Sequence, residues 1–182
     1  DDAFNYGAIG VVIGHEMTHG FDDQGCMFDK NGNMLNWWTA EDKEKFDART
    51  KVMADYFSSI EVAPGVHANG EFTLGENIAD HGGLQISYQA FKMNEASKKE
   101  SDRLTEKDGF TPEQRFFLAY ANVWAGNIRP EEILQRTKTD PHSLGRWRVN
   151  GALPHIGAWY EAWGVTEESP LYVAPENRVS IW

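Results

Sequence analysis

His15-Glu16-Met17-Thr18-His19 sets two imidazoles four residues apart, with a carboxylate beside the first. On a helix, positions i and i+4 lie about 40° apart around the axis and one turn along it, so both rings can meet a single ion. Glu16 is rotated by about 100° from His15 and reaches water at the ion better than the ion itself. Two neutral imidazoles holding Zn²⁺, with a carboxylate to take a proton from its water, is the arrangement a metal-assisted hydrolase needs. A buried helix is otherwise an expensive place for His and Glu, which there must be paired or coordinated.

A catalytic zinc takes three protein ligands and keeps one position open. In one class of zinc helix the third ligand is a histidine six residues after the second, preceded by a glycine three residues after it. Those positions hold Gly25 and Asp22, which excludes that class. Gly75-Glu76-Asn77-Ile78-Ala79-Asp80 is the stronger source. Glu76 and Asp80 are again i and i+4 and present two carboxylates on one helical face. One can ligate while the other accepts the spare ring N–H of a ligand histidine and fixes its tautomer. On spacing alone, Thr73-Leu74-Gly75-Glu76 also reads as a capping box with Glu76 at N3, and both readings stand.

The elements that must carry these groups are mostly helical. The pattern predicts a first helix over 4–21, apolar on nearly every side and therefore buried nearly all round. Gly7, Gly10 and Gly14 share one stripe of it, which calls for another element packed close to its backbone. Asn31-Gly32 between two apolar runs predicts a hairpin across 26–38. The same segment lacks the glycine and the final acid of a calcium loop. Helices are expected over about 40–60, capped by Thr39; 74–96; 112–124, opened by a Thr111-x-x-Gln114 box with Pro112 at N1; 130–138; and 154–163, stopped by Gly164. Residues 63–70 and 98–110 read as loop, and 165–182 as an irregular tail whose last apolar residues dock. His67, His81 and His155 carry no assigned role.

At 182 residues, 41% hydrophobic and 25% charged, the composition is that of a globular domain. Seventeen Lys and Arg against 28 Asp and Glu give a net charge of -11, which disfavours nucleic acid and anionic membrane as partners. The longest apolar run, 7–14, is far short of the ~20 residues of a membrane span. Cys26 is the single cysteine, so no internal disulfide exists. The start on Asp1-Asp2, with a helical pattern under way by Phe4, reads as a piece or processed product of a longer polypeptide.

Gly14 to Gly25 with its HExxH, Gly75 to Asp80, and Lys138-Thr139-Asp140-Pro141-His142-Ser143 together resemble the neprilysin family of zinc endopeptidases, gluzincins that include endothelin-converting enzyme and bacterial PepO. The resemblance runs over essentially the whole chain, as the C-terminal part of such an enzyme. It implies a mainly α fold, the helical C-terminal part of a thermolysin-like zincin catalytic domain with a small β-hairpin. It implies Zn²⁺ held by His15, His19 and Glu76, Glu16 as general base, and Asp80 as the partner of a zinc histidine, His15 above all. His142 matches the histidine that stabilises the oxyanion, oriented by Asp140, and Arg148 the arginine that holds a substrate carbonyl. Val11, Val12, Val123 and Trp124 fall at the walls of the apolar pocket that receives the residue after the cleaved bond. The reaction implied is hydrolysis of oligopeptides on the amino side of bulky hydrophobic residues. The substrate-aligning strand and the helical lobe of the family are missing upstream, so a zinc-binding piece that is catalytically incompetent alone is the alternative. The N-terminal part of the same polypeptide is then a partner. The lack of a cysteine near the C-terminal end points to a bacterial member, secreted or periplasmic.

Overall fold

A computed structural model of the chain describes residues 1–181; Trp182, the last residue of the expected docking tail, lies outside the described residues. The first helix is one continuous rod in three parts: α1 (Asp2–Asn5), a π-helical turn (Tyr6–Gly10) and α2 (Val11–Thr18), tightening into a 3₁₀ turn at His19–Phe21. Then come α3 (Ala40–Ser58), β1 (Glu61–Ala63), β2 (Val66–His67), α4 (Leu74–Ser97), α5 (Pro112–Val123), α6 (Pro130–Thr139), α7 (Gly145–Asn150) and α8 (Gly157–Trp163). No described helix is long and apolar enough to cross a membrane.

Local signals placed several of these ends. Thr39 accepts from the Asp42 N–H, the Thr111–Gln114 box closes in both directions, and Gly164 ends α8 in the left-handed region at φ 60°. The last helix, expected from about 154, starts only at Gly157, with Leu153–His155 forming a separate 3₁₀ turn, and the sequence pattern does not predict α7.

α4 is the central helix and touches two cores. Leu84 and Phe91 join Phe116, Phe117, Tyr120, Trp159 and Tyr160 on one side. Leu74 and Ile78 join Phe46, Met53 and Phe57 on the other, where the tail residues Val179 and Ile181 also dock. α2 lies across α4 with almost no side chain between them. A Cβ on Gly14 would stand 2.9 Å from the Gly83 Cα, and one on Gly83 would stand 2.7 Å from the His15 backbone nitrogen. That backbone-to-backbone contact brings the His15 turn and the Glu76–Asp80 turns to one place.

Two expectations are corrected. The first helix is not buried nearly all round: Ile9, Ile13 and Met17 are 59%, 56% and 61% exposed. An apolar pattern on every side says which surfaces prefer cover, and α4 and α5 cover only the glycine side. The two-stranded hairpin is β1–β2, turned at Gly65 (φ 72°) inside the segment read as loop. The 26–38 segment forms only a single antiparallel bridge, Phe28 to Met34, because Asp29 gathers the turn by accepting from Asn31 and Asn33 instead of letting a ladder extend.

Candidate metal centre and cleft

α2 and the 3₁₀ turn after it present His15 and His19 toward the first turns of α4, where one ligand atom each from His15, His19 and Glu76 lies within 4.8 Å of the others. Glu76 Oε2 is 3.2 Å from His15 Nε2, and Oε1 is 3.7 Å from His19 Nε2. Glu76 does not serve a capping box: Thr73 makes no side-chain cap bond. Its hydroxyl donates to the Asn69 carbonyl and accepts from Asn77 Nδ2, which leaves the Glu76 carboxylate to α2.

Both imidazoles are held from behind. Asp80 Oδ1 lies 2.9 Å from His15 Nδ1, and Asp22 Oδ2 lies 2.7 Å from His19 Nδ1. A carboxylate accepts, so each neutral ring carries its proton on Nδ1 and turns a lone pair outward on Nε2. Those two Nε2 atoms face each other at 3.0 Å, where two lone pairs repel. Beside them Glu76 Oε2 is buried without a hydrogen-bond partner among the described residues. Two imidazole lone pairs and an unsatisfied carboxylate oxygen converging on one point could hold a cation, and a mixed N/O donor set suits Zn²⁺. The field agrees. Burial pushes the His15 pKa down, but the adjacent Asp80 and then Glu76 carboxylates outweigh it and lift it to about 9, so with no ion bound this point attracts a proton, and a metal ion would take the proton's place on Nε2. Burial likewise works against the Glu76 and Asp80 carboxylates, yet the adjacent His15, and for Asp80 also Arg148, hold both below the usual range.

Asp22 was missed as a functional residue. The available signal was its position three residues past His19, one helical turn along, where a carboxylate can reach back to the ring. It was read only as the absence of a glycine.

Asp80 is shared. It also accepts from Arg148 Nε and Nη2, each at 2.7 Å, and the Arg148 guanidinium stacks 3.7 Å above the Trp124 ring. Arg148 is therefore buried by the metal-site carboxylate, and its Nη1 is the end that makes no hydrogen bond among the described residues. Tyr120 fixes the backbone beneath it, its hydroxyl donating to the Arg148 carbonyl at 2.9 Å.

His15, Asp80, Tyr120, Trp124 and Arg148 line one cleft of about 1130 Å³. Val11, Val12, Val123 and Trp124 line it together with His15, Glu16, His142 and Arg148. Glu16 is an exposed part of that lining. His142 follows α6, its Nδ1 2.7 Å from Asp140 Oδ1 and its Nε2 3.3 Å from Glu76 Oε2. Of the residues singled out by sequence, all but His19 and Glu76 line this cleft, and those two stand beside His15. His81 and His155 are buried elsewhere in the core.

Comparison with known proteins finds relatives over the whole chain. The pattern described as "Peptidase family M13" matches residues 1–179. Human neprilysin is 40% identical over 183 residues, covering 100% of this chain and 24% of its own length. Mouse endothelin-converting enzyme 1 is 40% identical, covering 100% and 23%. Among solved structures, the Mycobacterium tuberculosis zinc metalloprotease Zmp1 bound to an inhibitor superposes with a TM-score of 0.93 at 40% identity, over 100% of this chain and 28% of that one. PepO from Lactobacillus rhamnosis gives 0.86 at 34%, over 100% and 27%. The chain spans about a quarter of the length of these relatives.

Proposed function

The chain belongs to peptidase family M13, and from that premise we propose that it is the metal-binding and catalytic part of a zinc endopeptidase acting on oligopeptides at the amino side of bulky hydrophobic residues. The observation that carries the reading is the convergence of His15 Nε2, His19 Nε2 and the unpartnered Glu76 Oε2 beside an exposed Glu16 in an apolar-walled cleft. His15, His19 and Glu76 would hold the ion, which when bound supplies Lewis acidity toward a carbonyl and toward water.

The chain's own groups divide the remaining work. Glu16 Oε takes a proton from the attacking water and returns it to the leaving amine. His142, tethered through Nδ1 to Asp140, turns Nε2 toward the place where negative charge grows on the former carbonyl oxygen. Nε2 donates there when the ring is protonated, an interaction realised only as charge develops. Arg148 Nη1 is placed to donate to a substrate backbone carbonyl, while Asp80 and Trp124 keep the guanidinium flat against the wall. Val11, Val12, Val123 and Trp124 receive an apolar side chain, which fixes the scissile bond relative to Glu16.

A zinc-binding piece that does not turn over alone is the second reading. It is favoured by the short span relative to the relatives and by the uncovered Ile9-Ile13-Met17 side of the zinc helix. In the longer polypeptide the N-terminal part would cover that side. Cleavage of a fluorogenic peptide with a bulky apolar residue after the scissile bond, with and without a chelator, decides between them. Chelator-sensitive cleavage lost in Glu16→Gln supports the enzyme; one bound zinc per chain with no cleavage supports the second reading.

A further inference from the structure

A hydrogen-bond chain centred on the buried Asn77 runs from the metal-site helix to the loop that carries His142. Asn77 follows Glu76 on α4 and is only 2% exposed. Its Oδ1 accepts from Ser143 Oγ at 2.8 Å, and its Nδ2 donates to Thr73 Oγ1 at 3.0 Å. The Thr73 hydroxyl in turn donates to the Asn69 carbonyl at 3.1 Å. Ser143 is thus fastened to the same helical turn that supplies Glu76.

The other side of the loop is held at Asp140. Its Oδ1 accepts from the His142 backbone N–H at 3.0 Å and from the ring Nδ1, and its Oδ2 meets Arg136 Nη2 at 3.1 Å. Arg136 is half-exposed, and an ion pair in that setting holds little. The Ser143–Asn77 bond is different. Removing the hydroxyl leaves the buried Asn77 carbonyl oxygen without its donor, so the native loop position loses its advantage over alternatives.

We infer that Ser143, anchored by Asn77, is a positioning residue that fixes His142 Nε2 against the Glu76 side of the cleft. The inference rests on the endopeptidase reading. Through it α4 sets both halves of the chemistry: Glu76 and Asp80 build the ion-binding group directly, and Asn77 sets the distance from that group to His142. A hydroxyl that merely packs the loop would change stability without regard to what stands at position 142.

The test is a double-mutant cycle. Ser143→Ala is expected to lower kcat by about five- to fiftyfold while KM changes less than about twofold, with one zinc per chain retained. Ser143→Thr, which keeps the hydroxyl, recovers most of the rate. In a His142→Phe background, Ser143→Ala produces no further loss, because the ring it positions is gone. Independently of activity, imidazole ¹⁵N spectra of the metal-free protein report the His142 ring held between Asp140 and Glu76, and its signals move in Ser143→Ala. The same fold loss in both backgrounds, or an unchanged His142 spectrum, overturns the inference. If the wild type shows no chelator-sensitive cleavage, the endopeptidase reading fails instead, and the spectrum still decides what Ser143 holds.

Discussion

Asp80→Asn separates the two duties of one carboxylate. Asp80 is buried, accepts from His15 Nδ1 at 2.9 Å, and accepts twice from Arg148 at 2.7 Å. An amide of the same size has one acceptor atom where the site supplies three donors, and its NH₂ end must face a donor. Arg148 is 6% exposed, so the variant leaves a guanidinium without its counter-charge. Breaking a buried ion pair from one side costs about 3–5 kcal/mol. Loss of the carboxylate behind a ligand imidazole typically lowers metal affinity by about 10–100-fold. The control is Asp22→Asn, which loosens His19 in the same way but strands no arginine; its cost should be about 1–2 kcal/mol, the range for lost hydrogen bonds. Urea unfolding of the metal-free proteins reads the first quantity, and competition against a chromogenic chelator reads the second. Both variants should bind zinc more weakly, and Asp80→Asn should unfold at clearly lower urea than Asp22→Asn. Wild-type zinc affinity in Asp80→Asn, or equal destabilisation of the two variants, would refute the shared-carboxylate reasoning.

Other outcomes follow from particular contacts. Glu16→Gln should keep one zinc per chain and lose cleavage by about 10²–10⁴-fold, the worth of a positioned proton acceptor; retained turnover in the loaded variant removes Glu16 from the chemistry. Gly14→Ala inserts a methyl 2.9 Å from the Gly83 Cα, so α2 and α4 must part, with about 1–3 kcal/mol lost and weaker zinc binding; unchanged urea midpoint and zinc affinity would mean the crossing is not tight. His81 and His155 supply a pH dependence. Burial lowers both from 6.5 to about 4, although the carbonyls of Val179 and His155 pull His81 back up. The unfolded chain therefore binds more protons than the folded one between about pH 4 and 6.5. Stability from this source is complete above about 6.5 and is lost as pH falls toward 4, by about 3 kcal/mol for one such group. Urea midpoints that stay flat over that window in wild type and in His155→Gln alike would contradict the assignment.

The chemistry of the site was more legible than its scaffold. HExxH and ExxxD announce themselves because ligands on a helix must sit four apart to share a face. Thr39, Thr111, Pro130 and Gly164 likewise act within one turn of the chain, and their elements begin or end where they stand. The hairpin was misplaced because Asn31-Gly32 specifies a turn but not the ladder beyond it. β1 and β2 are three and two residues long, too short for an alternating pattern to show.

Glu76 marks where local reading gives out. Thr73-Leu74-Gly75-Glu76 satisfies a capping box as well as a ligand turn, and the four residues by themselves do not choose between them. The choice is made partly by Asn77, one residue on, and partly by residues far off in sequence. Asn77 occupies the Thr73 hydroxyl, Ser143 occupies Asn77, and the Glu76 carboxylate turns across to His15 and His19. The same distance effect hid Ile9, Ile13 and Met17. Periodicity reports what a helix face prefers, whereas the cover it receives depends on which element the Gly14–Gly83 contact lets approach. Once that contact is made, α2 can bury only one side against α4, and the opposite side stays apolar and open beside Glu16.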